Sequence, residues 1–268
     1  VLWWQAAFME NTVTGWLALE LTNSAWHVAL VQFYYTMPAL AAGFATGPLS
    51  ERFGRLGVAR ASQAGSLLAA LVVALLVWTG RLAFWHLCLA AAVFGVCWVL
   101  GWTTRNSLVP DLVGRGRTVD AMVLDSFAQN LARVLGPFAG GGLIALLGAG
   151  GCYAAIAVVS LVALAALVPL AAPVGSGHLR PAASQWTQMV AGLRYCRRSQ
   201  PILGDLLVTL IANYLVFPYL ALLPVFARDV LHRGPVELGL LGAAVGAGAF
   251  VGLAVTQYAR RRLSNGWI

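Results

Sequence analysis

The sequence predicts an all-α, polytopic membrane protein, and three observations predict it. Of the 268 residues, 60% are apolar and only 10% charged, against about 25% charged in a typical soluble domain. The mean hydropathy is +0.80, and apolar runs of roughly 20 residues recur, the length a helix needs to cross the bilayer core. The net charge of +8 comes from 17 basic residues, all arginine, and most of these sit in the connections between the runs. Helix is the form the runs must take. Lipid offers nothing to an unpaired backbone group, and the periodicity is not the alternation of a barrel strand.

Eight spans are expected: Val1–Leu21, Ala25–Leu49, Leu56–Trp78, Leu82–Trp102, Met122–Leu147, Tyr153–Ala171, Ile202–Phe226 and Leu238–Tyr258. The first opens within the apolar run Val-Leu-Trp-Trp, without an initiator Met, so the natural N-terminus is expected to lie upstream. The arginines orient the rest. Connections after spans two, four, six and eight carry Arg52, Arg55, Arg60, Arg105, Arg115, Arg117, Arg180, Arg194, Arg197, Arg198, Arg260, Arg261 and Arg262, whereas the opposite side carries only Arg81, Arg228 and Arg233. This bias places the even-numbered connections in the cytoplasm. It also makes the basic character topological and removes the argument for a nucleic-acid partner.

The connections on the other side are short, as at Gly148-Ala-Gly-Gly151. The longest connection is cytoplasmic and divides the chain into a six-helix bundle (1–171), a linker (172–200) and the start of a second bundle (201–268). Within the linker, Trp186, Met189, Val190 and Leu193 fall on one helical face ahead of Arg194, Arg197 and Arg198, the pattern of a helix lying in the membrane surface. The second unit starts as the first does. At an offset of 210 residues, Leu21, Leu30 and Arg52 align with Leu231, Leu240 and Arg262, and parallel repeats of this kind build transporters with the substrate path between the halves.

The segment Gly47-x-Leu-x-Glu51-Arg52-x-Gly54-Arg55, between spans two and three, has glycines that permit a tight turn and an acid among arginines, the makings of a latch that forms in one conformation and breaks in another. The plain alternative is an ordinary positive-inside loop. The segment resembles the signature loop of the major facilitator superfamily, G-x-L-x-D-R-x-G-R, with Glu51 in the usual Asp position. In span five, Gly136-Pro137-x-x-Gly140-Gly141 resembles the G-P-x-x-G-G element of exporters in that superfamily. Gly136 and Gly140 share a face for close helix approach and Pro137 removes a backbone hydrogen bond; small-residue packing is the plain reading.

Four further stretches, Arg105-x-Ser-Leu-Val-Pro110-Asp-Leu-Val, Asn130-Leu-Ala-Arg-x-Leu-Gly-Pro, Gly192-Leu-Arg-Tyr and Leu223-Pro-Val-Phe-Ala-Arg-Asp-Val230, are similar to the enterobactin-exporter-like branch, also described as transmembrane secretion effectors. The resemblance covers nearly the whole chain. It implies the major facilitator fold, of which eight of twelve helices are here, so a chain truncated after helix eight is expected. It also implies a cytoplasmic latch of Glu51, Arg52 and Arg55 with Arg105 as partner.

Charges within spans are the sharpest remaining clue. Arg133 lies midway along span five and Glu10 at similar depth in span one. An arginine at the bilayer centre costs about 2.5–3.5 kcal/mol on insertion scales, so such residues face a partner or a wet cavity. If the implied fold makes these spans neighbours, a Glu10–Arg133 pair is the leading expectation, with Asp125 as the alternative partner of Arg133. Such a pair is either static or a site where protonation of the acid couples to a change of state.

Tyr34, Tyr35, Gln32, Asn213 and Tyr214 are candidate cavity residues. Glu20 and Asp205 sit near span ends and are read as interfacial, and His27, His86, His178 and His232 as solvated residues beside connections. Trp3, Trp4, Trp26, Trp78, Trp85, Trp102 and Trp186 are read as the interfacial aromatic belt. Cys88, Cys97, Cys152 and Cys196 form no CxxC pair, so no zinc site is expected, and no phosphate-binding, hydrolase or metalloprotease motif appears.

The expectation is therefore a non-enzymatic secondary transporter of a bacterial inner membrane, without cofactor or metal. It would act as a monomeric proton-coupled exporter (an antiporter) of a siderophore, drug or other amphiphile. An importer or uniporter on the same fold, and a non-transporting fragment or accessory subunit of a secretion system, are the alternatives.

Overall fold

The apolar runs become long helices except Ile202–Phe226, where the described residues form a 16-residue helix (Gln200–Leu215) followed by short turns rather than one span. A computed structural model describes residues 1–170, 194–197, 199–215 and 218–259. Helices α1 (Leu2–Thr22), α2 (Ala25–Phe53), α3 (Arg55–Trp78) and α4 (Phe84–Val113) are followed by a 3₁₀ turn (Arg115–Arg117) and by α5 (Thr118–Leu167). Then come α6 (Gln200–Leu215), the short turns Pro218–Ala221 and Leu223–Val225, a π-helical turn (Phe226–Val230) and α7 (Pro235–Ala259). No strand occurs among the described residues. Among them, α2, α3, α4, α5 and α7 are long and apolar enough to cross a membrane. Helix α1 has 21 residues, with Glu10 and Glu20 among them.

Helix α5 is two spans. Its backbone leaves helical geometry at Gly148, with φ 70° and ψ 176°, a conformation open to glycine and strained for side chains. Cys152 Sγ lies 3.7 Å from the Gly140 carbonyl, twelve residues earlier, whereas a straight helix would separate them by about 18 Å. The chain therefore reverses, and arm one (118–147) and arm two (149–167) form the hairpin expected at Gly148–Gly151.

Polar contacts tie together the two ends of the bundle. At one end, Arg55 at the start of α3 pairs with Asp111 near the end of α4 and donates to the Ser107 carbonyl at 3.2 Å. Arg60 donates to the carbonyls of Leu167, Val168 and Leu170 at the end of arm two. Trp4 Nε1, at the start of α1, donates to Asp125 at 3.3 Å, near the start of arm one. At the other end Trp78 meets Gly150, and the rings of His27 and Phe84 are 4.8 Å apart. Successive spans thus alternate in direction, and Arg55, Arg60 and Arg105 gather at the first end.

The interior is tight. Val13, Val73, Leu87, Tyr153 and Ile156 are all but inaccessible, and Ala70 and Ala91 let neighbouring helices close together. Phe44 and Leu146 instead stand outward, at 66% and 80% exposure, because lipid accepts an apolar surface and packing, not hydrophobicity, holds such helices together.

Two expectations change. The connection expected between Leu49 and Leu56 is mostly helix: α2 continues to Phe53 and α3 begins at Arg55, so only Gly54 (φ 73°) stands between them. With 29 residues, α2 is about 43 Å long, well past a hydrocarbon core of about 30 Å, so its polar end remains helical outside the lipid. Trp3 and Trp4 leave the belt. They cluster with Trp98 and Trp102, with the Trp3 and Trp98 rings stacked 5.0 Å apart, and Trp4 is buried. Trp26, Trp78 and Trp85 remain exposed near span ends. The amphipathic linker face, Arg198 and Arg260–Arg262 lie outside the described residues.

Candidate functional site

A cavity of about 440 Å³ opens between helices of the first six spans and the segment after residue 218. Its walls come from α1, α2, α4, arm one, the turns before the π-helical segment, and α7. Small residues bring these walls together. Gly136 and Gly140 face α1, where a Cβ on Gly136 would stand 2.5 Å from Phe8 Cβ and one on Gly140 would touch Met9. Gly141 faces α7, against Gly239 and the Pro235 carbonyl, while Pro137 packs on Gly242. The exporter-like element therefore seats arm one on two helices at once, with Arg133 one turn before it and directed to the cavity.

Glu10 and Arg133 both line this cavity, but no ion pair joins them. The carboxylate of Glu10, 3% exposed, accepts from the Thr14 hydroxyl at 2.7 Å. Thr14 Oγ1 lies 2.7 Å from Tyr153 Oη. Because the single hydroxyl proton of Thr14 goes to Glu10, Tyr153 donates to Thr14. The guanidinium of Arg133 lies 5.7 Å from the centre of the Phe8 ring. Asp125, the alternative partner, is taken by Arg105 at 2.7 Å. The Glu10–Arg133 contact fails because α1 presents Phe8 to Arg133 and turns Glu10 toward arm two. Gln32 and Tyr35 line the cavity, Tyr34 faces outward at 42% exposure, and the side chains of Asn213 and Tyr214 lie outside the described residues.

The arginine-rich end differs from expectation in its partners. Arg55 joins Asp111, Arg105 joins Asp125 under the faces of Trp3 and Trp4, and Glu51 is exposed with Arg52 over the Phe53 ring. Gly47 lies within α2, and Gly54 makes the turn. The Arg55–Asp111 side chains keep 23% and 31% exposure, so water reaches this pair and it can break. At the far end Arg228 donates to the Leu19 carbonyl at 3.0 Å and to Asn23 Oδ1 at 2.7 Å, joining the π-helical turn to the end of α1.

Thr14, Tyr153, Asp111 and Arg228 were not singled out by sequence reasoning. Thr14 had a signal, since a hydroxyl four residues from an acid shares its helix face. Asp111 was an unassigned charge close to Arg105. Tyr153 gave none, and Arg228 gave only its place among the arginines of the opposite side, because their partners are 139 and 209 residues away. Cys88, Cys97 and Cys152 are buried free thiols and Cys196 is half-buried. No group of His, Cys, Asp or Glu among the described residues could hold a metal.

Fold and composition together define a class, the multi-pass all-α membrane proteins, here with a cavity among the helices. The chain matches the transmembrane secretion effector family model over residues 5–268. It belongs to that family, which is a family of transporters of the major facilitator type. No match was found among curated proteins.

Proposed function

We propose that this protein exports a small organic amphiphile across a bacterial inner membrane by alternating access, driven by the proton gradient, with its arginine-rich end in the cytoplasm. The observation that carries the reading is the shared cavity wall on which an acid, Glu10, and a cation, Arg133, stand unpaired with each other. Charges at this depth are costly and mark transport or proton-relay sites. The rest of the wall is mainly apolar, with Val28, Val31, Leu223 and Leu238 beside Gln32 and Tyr35, which suits a siderophore, drug or other molecule with one polar group. Glu10 carries the proton, Arg133 attracts the polar group of the substrate, and the Arg228 clasp and the Arg55–Asp111 pair hold opposite ends.

Inverted membrane vesicles test this. An amphiphilic fluorescent anion or a siderophore should accumulate inside them when an inside-acid gradient is imposed, and collapsing the gradient should stop it. Glu10→Gln should leave transport without response to the gradient. A full gradient response in Glu10→Gln removes Glu10 from coupling, and accumulation indifferent to the gradient in the unaltered protein leaves a uniporter.

A further inference from the structure

Behind Glu10, on the side away from the substrate cavity, lies a second and much smaller chamber of about 20 Å³. Glu10 and Tyr35 line both spaces. The chamber is otherwise bounded by Gln63, Ser66 and Ser160 and by apolar side chains including Phe94 and Trp98. Ser160 is 1% exposed, and its hydroxyl finds no hydrogen-bond partner among the described protein atoms. Buried hydroxyls rarely stay unpaired, and a polar space above about 10–15 Å³ admits one water molecule.

On its far side the chamber adjoins a third space of about 370 Å³, and Trp3 and Gln63 line both. This outer space reaches the arginine-rich end, where Arg105, Leu167 and Leu170 border it. Gln63 divides the two, with its amide donating to the Ser160 carbonyl at 3.1 Å. The outer space and the small chamber therefore run in series from the arginine-rich end to Glu10, inside the first bundle and apart from the substrate cavity.

We propose that the small chamber binds one water molecule, and that this water, with Gln63 as the gate, passes protons between the arginine-rich end and Glu10 by a route the substrate does not use. The water accepts a proton from hydronium in the outer space and gives one to a Glu10 carboxylate oxygen, leaving a neutral acid and a neutral water; release runs the same steps backward. The groups that face this site are Tyr35 from α2, Gln63 and Ser66 from α3, Cys97 from α4 beside Tyr35, Arg133 from arm one, and Tyr153 and Ser160 from arm two. Arg105 at the entrance is neutralised by Asp125, so it does not repel a proton. A separate route explains how an exporter could unload its proton while the cavity is filled by cargo.

The inference rests on Glu10 being the proton-carrying acid, and the test separates the two. The whole protein in lipid vesicles is followed by infrared spectroscopy after a pH jump, with the Glu10 carboxyl band assigned by its loss in Glu10→Gln. Ser160→Val fills the chamber and should slow protonation of that band by about tenfold or more. Ser160→Ala, a milder change that removes only the hydroxyl, and Gln63→Leu, which removes the polar gate, should slow it in the same direction. A band that titrates at an unchanged rate in Ser160→Ala and Gln63→Leu overturns the water route while leaving Glu10 in place. If no titrating band depends on Glu10, the proposed role of Glu10 falls, and the route falls with it.

Discussion

Glu10 meets a hydroxyl where a cation was expected, and the difference shapes what its neighbours should do when altered. Thr14→Val removes the link to Glu10 and also leaves Tyr153 without its acceptor. Stranding a buried polar group costs about 1–3 kcal/mol, so this variant should show a lower thermal midpoint in detergent than Thr14→Ser, which keeps the hydroxyl. Arg55 and Asp111 are partly wet, and such pairs are worth about 1 kcal/mol or less. A double-mutant cycle with Arg55→Ala and Asp111→Ala should give a coupling of that size, and it should shrink in high salt. Arg228 joins the π-helical turn to the end of α1, so Arg228→Ala should open the arginine-poor end. A cysteine placed at Gln32 in the cavity wall should then react faster with a membrane-impermeant thiol reagent added from that side, and an unchanged rate would remove Arg228 as a clasp.

Between elements, close backbone contact does the organising. A Cβ on Gly239 would stand 2.6 Å from the Pro137 carbonyl, so Gly239→Leu should force α7 off arm one. Overpacking typically costs about 1–3 kcal/mol, visible as a lower thermal midpoint and lost transport. Gly148→Ala should cost about 1–3 kcal/mol, because φ 70° with ψ 176° is a region essentially restricted to glycine. Spans were legible in the sequence because apolar run length is set by the bilayer, and the reversal at Gly148–Gly151 was legible because so short a glycine-rich break between two spans has to turn. Helix ends were less so, since α2 and α4 project beyond the lipid and the composition changes there before the helix stops. Facing was not legible: in a membrane both the lipid side and the packed side are apolar, so nothing marks Trp4 as interior or aims Glu10 at Tyr153 rather than Arg133.

For the whole molecule, arginine position carries the argument. The bundle gathers the starts of α1, α3 and arm one with the ends of α2, α4 and arm two, which is the arrangement that alternate crossing requires, and the arginines concentrate at that end. The proposed transport direction and the proposed proton route both depend on this sidedness. The most direct measurement is therefore labelling of single cysteines, at positions 55, 117 and 81 in turn, with a membrane-impermeant thiol reagent in intact cells and in inverted vesicles, in a background with the native cysteines replaced. Cysteines at 55 and 117 should react only in inverted vesicles, and the one at 81 only in intact cells. Reaction of 55 and 117 from opposite surfaces would contradict the threading and, with it, the transport path built upon it.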